Sequence, residues 1–199
     1  MIPDSFMYQY YTNKYLNEET LITTAKERGW TWTIIQPATF LSNLLPPWSR
    51  FAYPLLATER KIESVFPEDS KQGYLDSKDI GRFAAAALLE SHAKRHLVAN
   101  RRIQLASTNL TLREVVASLN GQLRNWGYSE RVDLDQLSDE EVRKRIEAGD
   151  LFAAGHTFQS ENPNVVDVER VKAYGIELGG MEEFWEREKP RVLESLRLE

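Results

Sequence analysis

The feature that most constrains this chain is an alternation of short β-branched or aromatic runs with longer amphipathic stretches, unaccompanied by any glycine-rich turn. Residues 30–35, 61–66, 102–106 and 131–134 read as strands; residues 8–28, 80–90, 111–124 and 138–148 read as helices. Such an alternation closes into a parallel sheet with helices on its faces. A dinucleotide-binding βαβ unit of that class takes about 30 residues and needs glycines where the backbone meets the diphosphate. Here the first strand run begins only at residue 30, behind a helix, and the ten glycines nowhere form Gly-x-Gly-x-x-Gly. The expected fold is α/β: a partial Rossmann-like parallel sheet with flanking helices and a small irregular C-terminal lobe.

Local signals place the elements. Gly29 stops the first helix, and Pro37 ends the strand after it. Residues 40–45 read as a short helix closed by Pro46-Pro47, residues 48–58 as an apolar segment, and residues 67–73 as a polar turn. Asp79 is expected to cap the helix at 80–90, because a carboxylate there accepts bonds from free amides and complements the positive helix end. Gly81 and the alanines at 84–87 make that helix thin enough to lie close to a sheet. Thr111-x-x-Glu114 and Ser138-x-x-Glu141 are capping boxes, each opening a helix. The last third carries Phe152, Phe158, Tyr174, Phe184 and Trp185 among glycines and charges, with helices expected at 168–174 and 181–195.

The 199 residues suffice for one domain with its own core, and zero cysteines exclude disulfides, thiolate metal sites and cysteine nucleophiles. A net charge of -5 argues against broad binding to nucleic acid or anionic membranes. The basic cluster Lys94, Arg95, His96, Arg101 and Arg102 reads as an exposed connection. The start at Met1 has no signal-peptide pattern, and no apolar window reaches the roughly 18 residues of a membrane span. Cytoplasm is the expected location, with the nucleus open to a regulator.

Tyr10 and Lys14 stand four apart on one helical face, where an ammonium favours the phenolate and eases proton transfer. The alternative is an ion pair of Lys14 with Glu18 on a solvated face, worth about 0.3 to 0.5 kcal/mol. Pro37, Thr39 and Phe40 follow the C-terminal end of a presumed parallel strand, the edge where ligands lie in open α/β sheets. Their alternative is a strand-ending turn with Phe40 in the core. Asn43 fits a turn-fixing amide better than a substrate contact. His92 and His96 have metal-pair spacing without a third ligand, so no metal is expected. His156 stands alone, and Asp167 with Glu169 reads as helix-start charge.

The runs Tyr10-Tyr11-Thr12-Asn13-Lys14 with Glu18, Gln36-Pro37-Ala38-Thr39-Phe40 with Asn43, Tyr74-Leu75-Asp76-Ser77-Lys78-Asp79-Ile80-Gly81-Arg82, Leu110-Thr111-Leu112-Arg113-Glu114 and Gly180-Met181-Glu182-Glu183-Phe184-Trp185 occur in one order. Together they resemble the middle and end of NmrA-like proteins, a branch of the atypical short-chain dehydrogenases, over nearly the whole chain. Gln36 stands where many of those proteins have arginine.

The resemblance implies an NAD(P)H-dependent oxidoreductase in which Lys14 contacts the nicotinamide ribose and Tyr10 serves as acid. It further implies that Pro37, Thr39 and Phe40 border the nicotinamide, with Asn43 and Phe158 on the side of a small-molecule substrate. The family's Gly-rich NAD(P)-binding half would lie before Met1. The expectation is therefore one N-terminally incomplete domain over 1–199, with a partial Rossmann core at 1–109 and a substrate-side lobe at 110–199. Such a chain should bind NADP(H) poorly by itself. The alternative is a non-catalytic regulatory or protein-binding module. In either case the sheet edge near 30–35 is expected to be exposed and to invite self-association or a protein partner.

Overall fold

The computed structural model describes residues 6–89 and 91–198. It opens with helix α1 (Phe6–Arg28), which Gly29 ends in the left-handed conformation at φ 67°. Strand β1 (Thr33–Pro37) follows, and after Ala38 the short β2 (Thr39–Phe40) continues it. Pro37 therefore belongs to the strand it was expected to end, and residues 30–32 precede it. The expected helix at 40–45 is a 3₁₀ turn, Leu41–Leu44. The apolar segment after it holds two short helices, α2 (Ser49–Ala52) and α3 (Leu56–Glu59).

Then come β3 (Lys61–Ser64), β4 (Lys71–Leu75), α4 (Ser77–Leu88), α5 (Arg95–Val98), β5 (Arg101–Leu105) and β6 (Thr108–Thr111). The C-terminal half holds α6 (Leu112–Asn125), β7 (Asp133–Gln136), α7 (Asp139–Glu147), α8 (Leu151–Glu161), α9 (Val168–Lys172), α10 (Met181–Arg187) and α11 (Lys189–Leu196). The last third is thus more helical than its composition suggested. Both capping boxes form as read: Thr111 and Ser138 each accept from the amide three residues on, and the glutamates reach back. Bonds from the Thr111 amide and hydroxyl hold the Glu114 carboxyl below its usual range.

The sheet is built around a fork. β1 and β5 run parallel, Thr33 opposite Arg101 through Pro37 opposite Leu105. Beyond Ala38 and Ala106 the two chains separate, and β4 enters between them, parallel to β2 and antiparallel to β6. Gly73 of β4 occupies the crotch: a Cβ there would lie 2.9 Å from the Ala38 Cβ, 3.0 Å from the Ala106 Cβ and 2.9 Å from the Asn164 carbonyl oxygen. Only glycine lets three chain segments meet so closely. A separate parallel pair joins β3 to β7.

Two corrections concern α4. Its N-cap is Asp76, which accepts from the Lys78 amide; Asp79 lies inside the first turn and is fully buried. Asp79 Oδ1 accepts from Arg82 Nη1 and from the Gly179 amide, both at 2.8 Å, so it ties α4 to the segment before α10. Burial raises its pKa, and its Oδ2 has no partner. Gly81 does not mark a close approach, because nothing lies within 4 Å of where its Cβ would be.

One core packs Leu75, Phe83, Ala86, Val98, Ile103 and Leu105 between the sheet and α4. A second gathers Leu45, Leu56, Ile62, Leu119, Phe184 and Trp185 beneath α6, α10 and α11.

Candidate functional site

Hydrogen bonds fix how α1 lies on the sheet. Glu18 accepts from Gln36 Nε2 of β1 at 2.9 and 3.0 Å and from Arg102 Nε of β5 at 3.0 Å, while neighbouring Glu19 pairs with the same guanidinium. Glu18 is thus engaged by the sheet, and the alternative reading, a Lys14–Glu18 ion pair, is not found among the described residues. The basic connection is likewise not wholly solvated, since Arg102 is drawn into this network.

Stepping from Glu18 to Glu19 turns about 100° around the helix, from β1 toward β5. Lys14 and Leu21 lie about 40° and 60° the other way. They therefore form a ridge, with Tyr10, on the side of α1 that faces away from β5.

The edge of β1 away from β5 is open. The Asn100 amide donates to the Trp32 carbonyl and the Ala38 amide to the Leu105 carbonyl, so even-numbered residues of this strand face β5. Thr33 and Ile35 then turn their N–H and C=O groups outward. No strand among the described residues meets them.

On the ridge the Lys14 ammonium lies over the Tyr10 ring, 4.4 Å from its centroid. Tyr10 is 42% exposed and Lys14 is exposed. Tyr10 meets Tyr11 edge to face at 5.2 Å, and Tyr11 stacks on Phe158 of α8 at 4.7 Å. The structure thus brings Tyr10, Lys14 and Phe158 into one neighbourhood through Tyr11. Pro37 closes β1; Thr39 and Phe40, both half-buried, form β2 opposite Tyr74 and Leu75. Phe40 packs on the core that holds Phe83. Asn43 is half-buried in the 3₁₀ turn, which closes through the Leu45 amide to the Ser42 carbonyl. The Asn43 amide makes no hydrogen bond among the described residues, so it does not fix that turn.

A second group of residues was not foreseen as a cluster. His156, on α8, lies with its ring 6.1 Å from that of Tyr53 and 5.0 Å from that of Phe66. Burial lowers its pKa to about 4, pushes the Tyr53 phenol up to about 12 and raises Tyr74 as well. Nothing in the sequence pointed to this grouping, because its members come from three segments with no shared period. His92 has a local role, its Nδ1 accepting from the Lys94 amide. No group of three potential metal ligands occurs among the described residues. No helix among them is long and apolar enough to cross a membrane. Asp167 caps α9, as its position suggested.

No protein-family model matches the sequence, and no curated protein matches it. Solved structures do. A nucleoside-diphosphate-sugar epimerase from Staphylococcus aureus aligns with TM-score 0.57 and 17% identity over 89% of this chain and 56% of that one. An isoflavone reductase gives 0.59 and 16% over 89% and 59%. The negative transcriptional regulator NmrA, in complex with NADP, gives 0.51 and 17% over 78% and 52%. The chain shares the Rossmann-type fold of these solved proteins and spans little more than half their length.

Proposed function

We propose that the chain carries the proton-handling, substrate-facing part of an NAD(P)H-dependent oxidoreductase of the NmrA-like kind. The observation that carries this reading is the Lys14–Tyr10 pair on α1, the helix that Glu18 ties to β1, a strand whose C-terminal end leads into Thr39. Ligands of open α/β sheets lie at that end of the strands. The NADP and NAD held by solved NmrA structures support the coenzyme class.

The nicotinamide side of such a coenzyme fits the residue types present: a lysine on α1, with Pro37, Thr39 and Phe40 at and after the end of β1. The diphosphate side does not. Of the glycines with positive φ, Gly29, Gly127 and Gly175 follow helices, and Gly149 lies in the turn from α7 to α8, where the Asp150 carboxylate already takes the free amides of the helix N-terminus, so none of these forms a phosphate turn. A bound NADP(H) supplies hydride. The chain's own part is Tyr10, whose phenol gives up the proton, with the Lys14 ammonium beside its ring favouring the phenolate left behind.

Titration of the purified chain with NADPH, read by coenzyme fluorescence, tests the fit: weak binding is expected, and saturable micromolar binding overturns the claim that the diphosphate lacks a holder. Wherever reductase turnover is measured, Lys14→Ala abolishes it; unchanged turnover removes Lys14 from the chemistry.

The open edge of β1 supports a second reading, a non-catalytic module that binds a protein partner or a second copy there. Under it the chain self-associates or captures a partner without turning over any substrate. Light scattering across a concentration series tests the self-association arm.

A further inference from the structure

A cleft of about 230 Å³ lies between the α2–α3 segment and α11. With about 30 Å³ for each water in the liquid, it has room for about eight waters, or for a ligand of about ten non-hydrogen atoms. It shares no residue with the Lys14–Tyr10 pair or with Pro37, Thr39 and Phe40.

Ser49 and Tyr53 supply its buried polar groups. The Tyr53 amide donates to the Ser49 carbonyl at 2.9 Å, and this four-residue spacing brings both residues to one side of α2. Ser49 is 4% exposed and Tyr53 7%, yet neither hydroxyl has a hydrogen-bond partner among the described residues. Buried polar groups are as a rule hydrogen-bonded. Nor are these two sealed: the sealed, unpartnered side-chain polar atoms among those residues are Asp79 Oδ2 and Thr157 Oγ1. The cleft is accessible space that both residues border, so a partner can reach them there. Burial pushes the Tyr53 phenol up to about 12, which keeps it a donor at neutral pH. Pro46, Pro54 and Leu56 add apolar wall, and apolar walls with a few polar groups are the usual make-up of a small-molecule site.

Charge gathers at the rim, where Arg50, Glu194 and Arg197 line the cleft and are exposed. Arg50 Nη2 pairs with Glu194 Oε1 at 3.2 Å, whereas Arg197 makes no ion pair among the described residues. One positive charge is therefore uncommitted. Arg197 also ends α11 in the left-handed conformation, φ 53°, where glycine is the usual residue and a side chain lowers stability. A carboxylate matches a single guanidinium in charge and in fork geometry. A phosphate monoester carries a charge of about −1.5 to −2 at neutral pH and would bring the excess up against Glu194.

We propose that this cleft binds a small cyclic monocarboxylate bearing a hydroxyl group, with Arg197 holding the carboxylate at the rim and Ser49 and Tyr53 holding the hydroxyl inside. The site goes beyond the reductase reading and needs no coenzyme.

The test titrates the purified chain, without coenzyme and at constant ionic strength, with 4-hydroxybenzoate, 4-hydroxybenzamide and phenyl phosphate, while backbone amide resonances are followed by NMR. 4-Hydroxybenzoate is expected to shift Ser49, Tyr53 and Arg197 saturably, with the uncharged amide at least about tenfold weaker, the worth of a charge-assisted hydrogen bond. Arg197→Gly removes the guanidinium where the backbone suits glycine, so it should keep the fold and still weaken 4-hydroxybenzoate by about tenfold or more. Tyr53→Phe should weaken it by about 3- to 10-fold. Equal binding of the amide overturns the proposal, as do tighter binding of phenyl phosphate, undiminished binding in Arg197→Gly, shifts confined to other residues, or no saturable response. Should Tyr53→Phe lose its fold by circular dichroism, the three probes and Arg197→Gly still decide. Lys14→Ala should bind 4-hydroxybenzoate as the unaltered chain does, so failure here leaves the reductase reading standing, and failure of that reading leaves this one.

Discussion

Glu18 of α1 accepts two hydrogen bonds from the side-chain amide of Gln36, at 2.9 and 3.0 Å, and so bolts the first helix to the first strand. One turn earlier, Lys14 lies over the Tyr10 ring face. The carboxylate that fixes the helix is thereby taken up by the sheet and not by Lys14.

Removing that bolt should separate stability from function. Glu18→Ala leaves the Gln36 amide and the Arg102 guanidinium short of an acceptor, and a loss of about 1 to 2 kcal/mol is expected. Lys14→Ala, an exposed change, should stay within about 0.5 kcal/mol. Urea midpoints at constant slope measure both; equal losses would mean that Lys14 has a structural partner in solution.

Gly73→Ala should be among the more damaging small substitutions. Its Cβ would meet Ala38, Ala106 and a backbone oxygen, all at 3.0 Å or less, and a backbone cannot swing aside as a flexible side chain can. Overpacking of this kind costs about 1 to 3 kcal/mol. Gly81→Ala, with open space around it, should be neutral to slightly stabilising, as helix propensity dictates. Thermal melts of the two variants give the comparison.

The folded state should weaken in mild acid through His156. Its pKa falls from 6.5 in the unfolded chain to about 4 in the folded one, so between those values the unfolded chain binds more protons. Stability is then whole above about pH 6.5, declines as pH falls toward 4, and levels below that. A full shift of this size would amount to about 3 kcal/mol; the half-buried ring reduces it to about 1 to 2 kcal/mol. His156→Phe should flatten that part of the profile, and a variant with an unchanged slope would show that other groups produce it.

Amide exchange should read the open edge residue by residue. Ile34 and Gln36 face β5 and should exchange slowly, whereas Thr33 and Ile35 face outward and should exchange faster by at least an order of magnitude. Slow exchange at Thr33 and Ile35 in a dilute sample would mean that the edge is covered. Their protection at high concentration alone would show that copies pair there.

Much of the framework was legible in the chain. The boxes at Thr111 and Ser138 form as read, and Gly29 ends α1 where expected. Errors gathered where neighbours in space outvote neighbours in sequence. Asp79 looked like a cap and is instead a buried tie to Gly179, because Asp76 three residues earlier already serves the helix end. Pro37 looked like a stop, yet it closes a strand whose open edge asks for no amide at that position. Residues 151–161 carry a glycine and a mixed apolar pattern that hid a helix.

What the sequence determined by itself is local: where helices start and stop, which runs extend, and that strands alternate with helices. Those outcomes rest on hydrogen bonds closed within a turn of the chain, so a few adjacent residues decide them. Tertiary structure decided which partner Glu18 takes, 18 and 84 residues away, where β4 enters the fork, and that a lone histidine meets two aromatic rings. Contacts of that kind depend on close packing between distant segments, and no short-range period in the sequence records them.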